Sequence, residues 1–184
     1  MKGYHFLKAD WKSGSGDEPA WKIGESRTLP DGEIIPCKYG YHASPTILSA
    51  IKYSKGLVLC LVELGGKVIP HGEPHDKWAA STRKLITGVN VATELRLFAI
   101  DCTEHVLSVY EGRYPYEKRP RLVVEAARNY IHGIITREQL SRIIDNCYIG
   151  DYAADYVAVA AAAPHIVNVD NRADVLASID YAVA

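Results

Sequence analysis

The first half of the chain places its hydrophobic positions in short runs separated by turn residues, a pattern that predicts β-strands. Four strands are expected, at residues 4–8, 21–25, 33–37 and 57–64. The last is a continuous apolar run, typical of a central strand that is buried on both faces. Gly65 and Gly66 predict a turn, after which residues 67–70 continue as an edge strand. Residues 78–87 fit a helix or a strand.

One helix is expected within this half, at residues 46–53. Ser44 is placed to cap it and Pro45 is compatible with its first turn. The spacing of Ile47, Leu48 and Ile51 predicts its buried face.

The second half has hydrophobic residues at helical spacing. About five helices are expected, at residues 93–109, 120–132, 137–149, 152–163 and 170–183. Pro120 fits the first turn of the second helix, and Gly133 is expected to end it. The buried face of the first is predicted to comprise Leu95, Phe98, Ala99, Cys102, Val106 and Val109. Thr93 is its expected cap, and Thr136 with Gln139 has capping-box spacing. The whole predicts an α+β fold, with a small mixed β-sheet domain at residues 1–90 and a helical bundle at residues 91–184.

Composition fits a folded globular protein, with 48% hydrophobic and 23% charged residues among 184. The net charge of −1 argues against a dedicated nucleic-acid binder, so nucleic acid is not an expected partner. Residues 1–92 hold 12 Lys/Arg and 9 Asp/Glu, whereas residues 93–184 hold 9 and 13. The acidic helices are interpreted as solvated faces, or else as a surface for a basic partner.

Four cysteines, Cys37, Cys60, Cys102 and Cys147, are widely spaced and form no Cys-x-x-Cys pair. They are interpreted as buried, reduced thiols, and none has a local context typical of a nucleophile. No signal-peptide core or membrane-spanning apolar run occurs. We therefore expect a cytoplasmic protein that does not associate with membranes. No cofactor is expected either.

A short polar loop offers a candidate metal site. His71, Glu73 and His75 alternate along it, and in an extended conformation they would project to one side. Gly72 and Pro74 exclude the helical arrangement of two histidines four residues apart. The alternative interpretation is a solvated loop without a ligand.

A second candidate is a ligand-binding site formed by His5, Tyr41, His42, Ser44 and Tyr53. A histidine at the end of a strand before a helix can act as a general base or hold a substrate. The aromatic residues of this half could line a groove for a planar ligand such as a nucleobase. Alternatively, these aromatic residues build the core, and His42 packs beneath the helix. No catalytic residue is assigned.

Several motifs of the first half occur in a fixed order. They are C-x-x-G-Y-H-A-S at residues 37–44, A-x-x-Y at 50–53, the apolar run with V-E-L-x-G at 56–66, and D-K with A-A at 76–80. Together they resemble a domain of unknown function that is common in bacteriophage and bacterial genomes. Five motifs of the second half resemble an Ala-rich helical module seen in phage proteins and immunity proteins: C-x-E-H-V-L at residues 102–107, Y-E at 110–111, Y-P at 114–115, R-P-R at 119–121 and E-A-A-R at 125–128. The resemblance implies a phage or mobile-element origin and a role in host takeover or counter-defence.

G-Y-H-A at residues 40–43, S-A-x-x-Y at 49–53 and the apolar strand at 57–65 are also similar to the core of ADP-ribosyltransferases. In that family a histidine and a tyrosine clamp NAD and a late glutamate activates it. The matching positions are His5 and Tyr41. His5 is not followed by glycine, and Glu94 opens a helix, so the catalytic glutamate has no counterpart on a late strand.

The leading functional hypothesis is a phage-encoded binding protein that sequesters a host protein or a nucleotide-like small molecule. One alternative is an ADP-ribosyltransferase-like enzyme that acts on NAD or another nucleotide. Another is an assembly protein that forms homo-oligomers through its Ala-rich helices.

Overall fold

The computed structural model describes residues 1–14, 18–30 and 32–147. The chain divides into two compact units, Met1–Val91 and Ala92–Ala184. The first is built around a β-sheet, and the described part of the second is helical. The α+β prediction is therefore confirmed.

The first unit, called the sheet unit below, contains a five-stranded sheet. Its strands are β1 (Lys2–Leu7), β2 (Ser26–Thr28), β3 (Tyr41–Ala43), β4 (Val58–His71) and β5 (Lys77–Asn90). The order is β1-β4-β5-β2, and β3 also pairs with β5. All pairings between these described strands are antiparallel, whereas a mixed sheet was expected.

The centre of the sheet is the hairpin of β4 and β5, each of 14 residues. The turn predicted at Gly65 and Gly66 is wrong, because β4 runs through them with an irregularity in its pairing between Gly65 and Val68. The expectation that β4 is buried on both faces is also wrong over its apolar run. Burial there alternates, with Val58 and every second residue to Leu64 buried, as in a sheet with one covered face.

Two of the shorter predicted strands are displaced. Residues 21–25 form a loop, in which Trp21 N donates to Trp11 O at 2.9 Å, and β2 begins only at Ser26. Residues 33–37 contain one isolated bridge, between Ile35 and Tyr39. Residues 78–87, which were ambiguous, lie in β5.

Helix α1 (Ile47–Lys52) is capped by Thr46, whose Oγ1 accepts a hydrogen bond from Ser49 N at 3.0 Å. The predicted cap at Ser44 is wrong, because Ser44 pairs through its backbone with Tyr4. The helix buries Ala50 and Ile51, whereas Ile47 and Leu48 are exposed, contrary to the predicted face. Of the 6 residues in this helix, only Ala50 and Ile51 are buried.

The second unit, called the helical unit below, begins with α2 (Ala92–Arg113), α3 (Arg119–Ile131) and α4 (Arg137–Cys147). Their buried residues form one apolar cluster of Ala99, Ile100, Leu107, Val123, Val124, Ala126, Ala127 and Leu140. The predicted face of α2 is shifted, since Phe98 and Val109 are exposed while Ile100 and Leu107 are buried. The pattern misled because α2 carries apolar residues on more than one side.

The helix ends follow the sequence signals more closely. Pro120 lies in the first turn of α3, and Gly133, with a φ of 71°, follows its end. Before α4, Thr136 N donates to Gln139 Oε1 at 2.7 Å and Gln139 N donates to Thr136 Oγ1 at 3.3 Å, which confirms the capping box.

The two helices predicted at residues 152–163 and 170–183 lie outside the described residues. So does most of the acidic excess, because residues 92–147 hold eight Asp/Glu and eight Lys/Arg. Among the described helices, none is long and apolar enough to cross a membrane.

Candidate functional site

A polar cluster forms where the β4–β5 hairpin closes. His71 ends β4 and Lys77 begins β5, and the register places them directly opposite each other. The turn between them requires Gly72, whose φ is 93° and whose added Cβ would lie 2.5 Å from Asp76 Oδ1. The short strand β3 pairs with the same end of β5 and brings His42 close. This group, with Cys37, is called the Cys37 cluster below.

Cys37 lies at the centre of the cluster. Its Sγ is 3.4 Å from His71 Nε2 and accepts a hydrogen bond from Lys77 Nζ at 3.1 Å. Its backbone has a φ of 66°, which a residue other than glycine rarely adopts, and it lies in the turn closed by the Ile35–Tyr39 bridge. The thiol is therefore held in place by backbone geometry as well as by its two polar neighbours.

Lys77 is buried, with 6% of its surface exposed. Its Nζ lies 3.6 Å from the centroid of the Tyr53 ring, an arrangement that attracts a cation to the ring face. Among the described residues, no carboxylate lies within 4.0 Å of this nitrogen. The sulfur of Cys37 is thus the anion-forming group in hydrogen-bond contact with a buried ammonium.

His42 supports the cluster as a neutral acceptor. Its Nε2 accepts the backbone N–H of Cys37 at 3.1 Å, so its proton lies on Nδ1. Burial, followed by the charges of Lys77 and Arg83, lowers the pKa of His42 to about 4. At neutral pH the ring is uncharged and holds the backbone of Cys37.

Tyr53 and Asp76 close the cluster on the side of α1. The Tyr53 hydroxyl donates to both carboxylate oxygens of Asp76, at 2.9 and 3.0 Å. Burial and this hydrogen bond raise the pKa of Tyr53 to about 12, so the phenol stays protonated. Asp76 in turn is committed to Tyr53 rather than to Lys77.

A second polar group lies further along β5. Arg83 is 3% exposed, and its guanidinium carbon lies 4.3 Å from the Trp21 ring centroid and 4.9 Å from that of Tyr41. It donates to His42 O at 3.4 Å and to Ser13 Oγ at 3.2 Å. Burial lowers the pKa of Arg83 to about 10, which shows how poorly solvated the charge is. This group is called the Arg83 group below.

His5 lies on β1, opposite Cys60 of β4. Its Nε2 is buried and has no hydrogen-bond partner among the described residues. Burial, with the charges of Arg83 and His42, holds its pKa well below the usual value. The ring is therefore neutral, and its Nε2 atom is buried in the sheet unit without a hydrogen bond to the described residues.

The candidate ligand residues are distributed over both groups. His42 and Tyr53 contact the Cys37 cluster, Tyr41 contacts Arg83, and Ser44 is buried beside β1. Sequence reasoning missed Lys77 and Arg83, and it was wrong about Cys37, which was expected to be buried but is exposed. The pairing of His71 with Lys77 follows from the register of the β4–β5 hairpin and was in principle predictable. Cys37 lies in a separate loop, and no local sequence pattern indicates that this loop contacts the hairpin.

The loop residues proposed as metal ligands are not gathered into one site. His71 faces Cys37, whereas His75 Nδ1 lies 2.8 Å from Gly72 O. No group of three His, Cys, Asp or Glu among the described residues could hold a metal ion. Metal binding by Glu73 and its two neighbouring histidines stays a prediction from the sequence.

Comparison with known proteins bears on the helical unit. Residues 90–169 match the family described as "Imm-5 like putative immunity protein". No curated protein and no solved structure matches the chain. The matched range includes α2, α3 and α4, and the sheet unit lies almost wholly outside it. The similarity to this immunity family is therefore carried by the helical unit.

Proposed function

We propose that the protein is an immunity-type binding protein, encoded by a phage or a bacterium, whose helical unit binds and sequesters a protein partner. The similarity of residues 90–169 to the immunity family supports this proposal. The helical unit has an apolar cluster of its own, so its exposed residues can contact a partner without disturbing the core.

The observation that carries the proposal is a set of exposed or aromatic side chains in the last turns of α2 and directly after it. Val109, Tyr114 and Tyr116 are 75%, 47% and 97% exposed. The rings of Tyr110 and Tyr114 lie 4.8 Å apart, and the Arg113 guanidinium carbon lies 5.8 Å from the Tyr114 ring. Tyrosine and arginine are the residues that most often dominate binding energy at protein interfaces. These five residues are called the tyrosine surface below.

The test compares capture of a protein partner by the native chain and by Tyr114→Ala/Tyr116→Ala. Immobilised protein is incubated with host-cell lysate, and captured proteins are quantified by mass spectrometry. We expect a specific protein to be captured by the native chain and at least about tenfold less by the double variant.

Ile134→Ala is the matched control, since Ile134 is also exposed and apolar but lies in the α3–α4 loop. It should retain capture. Equal capture by the double variant, with an unchanged melting temperature, would contradict a role for the tyrosine surface.

The Arg83 group supports a second candidate, binding of a nucleotide-like ligand by the sheet unit. Arg83 would supply the positive charge, and Trp21 and Tyr41 the aromatic faces, for a planar anion that displaces the contacts by which Arg83 is now buried. The ADP-ribosyltransferase-like alternative would place NAD here, near Tyr41 and His5. NAD and ADP-ribose should then raise the melting temperature by mass action, and the rise should be smaller for Arg83→Lys. No rise with either compound would exclude both ligands.

A further inference from the structure

The Cys37 cluster is independent of the proposed protein-binding role. It lies in the sheet unit, outside the range that resembles immunity proteins, and it shares no residue with the tyrosine surface. The imidazole of His71 and the ammonium of Lys77 both lie within hydrogen-bond distance of the Cys37 sulfur. Cationic and basic neighbours of this kind favour the thiolate form of a cysteine, and the thiolate is the nucleophile.

We propose that Cys37 is a nucleophilic thiol that takes carbon electrophiles carrying a leaving group, with Lys77 stabilising the thiolate and His71 accepting the thiol proton.

The first argument is the charge balance around Lys77. A buried ammonium is costly unless an anion or strong acceptor compensates it. Asp76 is engaged by Tyr53, and among the described residues the hydrogen bond from Nζ goes to Cys37 Sγ. A thiolate at this position supplies the missing negative charge, whereas a neutral thiol leaves the ammonium with an aromatic face and a weak acceptor.

The second argument is accessibility with fixed geometry. Cys37 is an exposed residue, whereas Cys60 is buried and Cys102 and Cys147 are intermediate, so Cys37 is the cysteine most open to an electrophile from solvent. The backbone N–H is held by His42 Nε2, and the strained φ fixes the direction of the side chain. An exposed sulfur on a fixed backbone loses little conformational entropy when it reacts.

The third argument is the position of His71. Its Nε2 lies 3.4 Å from Sγ, within the range of a sulfur hydrogen bond. The thiol proton first moves to His71 Nε2, which gives the thiolate that Lys77 stabilises. In the reaction, a sulfur lone pair forms the S–C bond and the bond from carbon to the leaving group breaks with its electron pair. A basic leaving group then takes the proton from His71, whereas a halide such as iodide leaves as the anion and the proton passes to water.

The chain contains its own comparison, because three other cysteines lack this setting. Cys60 is fully buried, and burial raises its pKa to about 11. Burial also raises the pKa of Cys102 and of Cys147. These thiols should react slowly in the folded protein.

The experiment is alkylation of the folded full chain by iodoacetamide at pH 7, with the rate at each cysteine followed by peptide mass spectrometry. We expect Cys37 to react at least about tenfold faster than free glutathione and than the other three cysteines. Lys77→Met should lower the Cys37 rate by about tenfold, Lys77→Arg should restore most of it, and His71→Gln should lower it less.

Lys84→Met is the matched control, since Lys84 lies exposed on the same strand and should leave the rate unchanged. The fold of each variant is checked by circular dichroism. If Lys77→Met fails to fold, the native rate relative to glutathione and the Lys77→Arg rate decide the question. A native Cys37 rate equal to that of glutathione, or one unaffected by Lys77→Met in a folded protein, would overturn the proposal.

Discussion

The two units treat charge differently. The sheet unit buries Lys77 and Arg83, with 6% and 3% of their surfaces exposed. In the described helical unit, by contrast, Arg121 and Arg128 form ion pairs with carboxylates of α2 and remain partly exposed. Its buried polar residue, Thr103, donates to Ala99 O at 2.9 Å within the helix.

This difference bears on the two proposals, because the Cys37 cluster contains one of the buried cations and the tyrosine surface contains none. Burying a charge costs several kcal/mol unless it is well paired, and apolar residues of similar size often give a more stable protein. Stability alone therefore does not account for Lys77 and Arg83. In the described helical unit the fully buried residues are apolar apart from Thr103, but the Nε atom of Arg96 on α2 is buried without a hydrogen-bond partner among the described residues.

The largest expected effect tests whether both units depend on apolar packing to the same extent. Leu64→Ala in the sheet unit and Leu107→Ala in the helical unit each remove a side chain that is 2% exposed. Each should lower the free energy of unfolding by about 3 kcal/mol, measured by urea denaturation. Val89→Ala and Val109→Ala are exposed controls with changes below about 0.5 kcal/mol. A loss below about 1 kcal/mol at either leucine would show that its unit tolerates the cavity.

The next effect is specific to the sheet unit and depends on pH. The pKa of His42 is lowered to about 4, so the unfolded chain binds its proton near pH 6.5 while the folded chain does not. The unfolded state therefore gains protons first, and stability falls as the pH drops from about 6.5 to 4. We expect His42 to contribute roughly 2 kcal/mol to this loss, after allowance for its partial exposure.

His42→Gln should flatten the pH dependence of unfolding in this window, as measured by urea titrations at several pH values. His132→Gln, at the exposed end of α3, serves as the control and should leave the profile unchanged. An identical slope in the native protein and in His42→Gln would contradict the assignment of a neutral buried ring.

A smaller effect of opposite sign is expected at Arg83. Because burial lowers its pKa to about 10, the charged form is disfavoured in the folded state. Arg83→Met removes this cost but also two hydrogen bonds, to His42 O and Ser13 Oγ. The free energy of unfolding should stay constant or rise by about 1 kcal/mol. If the free energy of unfolding fell by more than about 2 kcal/mol, Arg83 would be needed for stability, and the two units would not differ in this respect.

The smallest effect concerns the helical unit. Arg128 pairs with Asp101 at 2.7 Å and with Glu104 at 2.8 Å, but all three side chains are partly exposed. Arg128→Met should lower the free energy of unfolding by about 0.5 kcal/mol, and 1 M salt should reduce the difference. A salt-independent loss above about 2 kcal/mol would mean that this ion pair behaves as a buried one.

The elements that could be predicted are those with a strong local signal. Helices α3 and α4 were located because Pro120, Gly133 and the Thr136 capping box mark their ends. The face of α2 was misassigned because its apolar residues exceed what one side can bury. The turn predicted at Gly65 failed because paired glycines are equally compatible with a bulge inside a strand.

The candidate site was harder to predict because its contacts are long-range. His42 and Tyr53 were selected from local motifs, and both contact the cluster. Cys37 and Lys77 are 40 residues apart, and their contact depends on the register of β5 and on a loop with an unusual φ. No periodicity in the sequence encodes either property.

The strand order also constrains how the chain forms during synthesis. The hairpin of β4 and β5 is central, yet β1, β2 and β3 are translated before it. When the ribosome has released residues 1–57, these three strands have no partner among the strands they later pair with. Domains fold as units during synthesis, and hairpin contacts are local in sequence. The sheet can therefore be completed only after β5 has been synthesised, because β2 and β3 both pair with it.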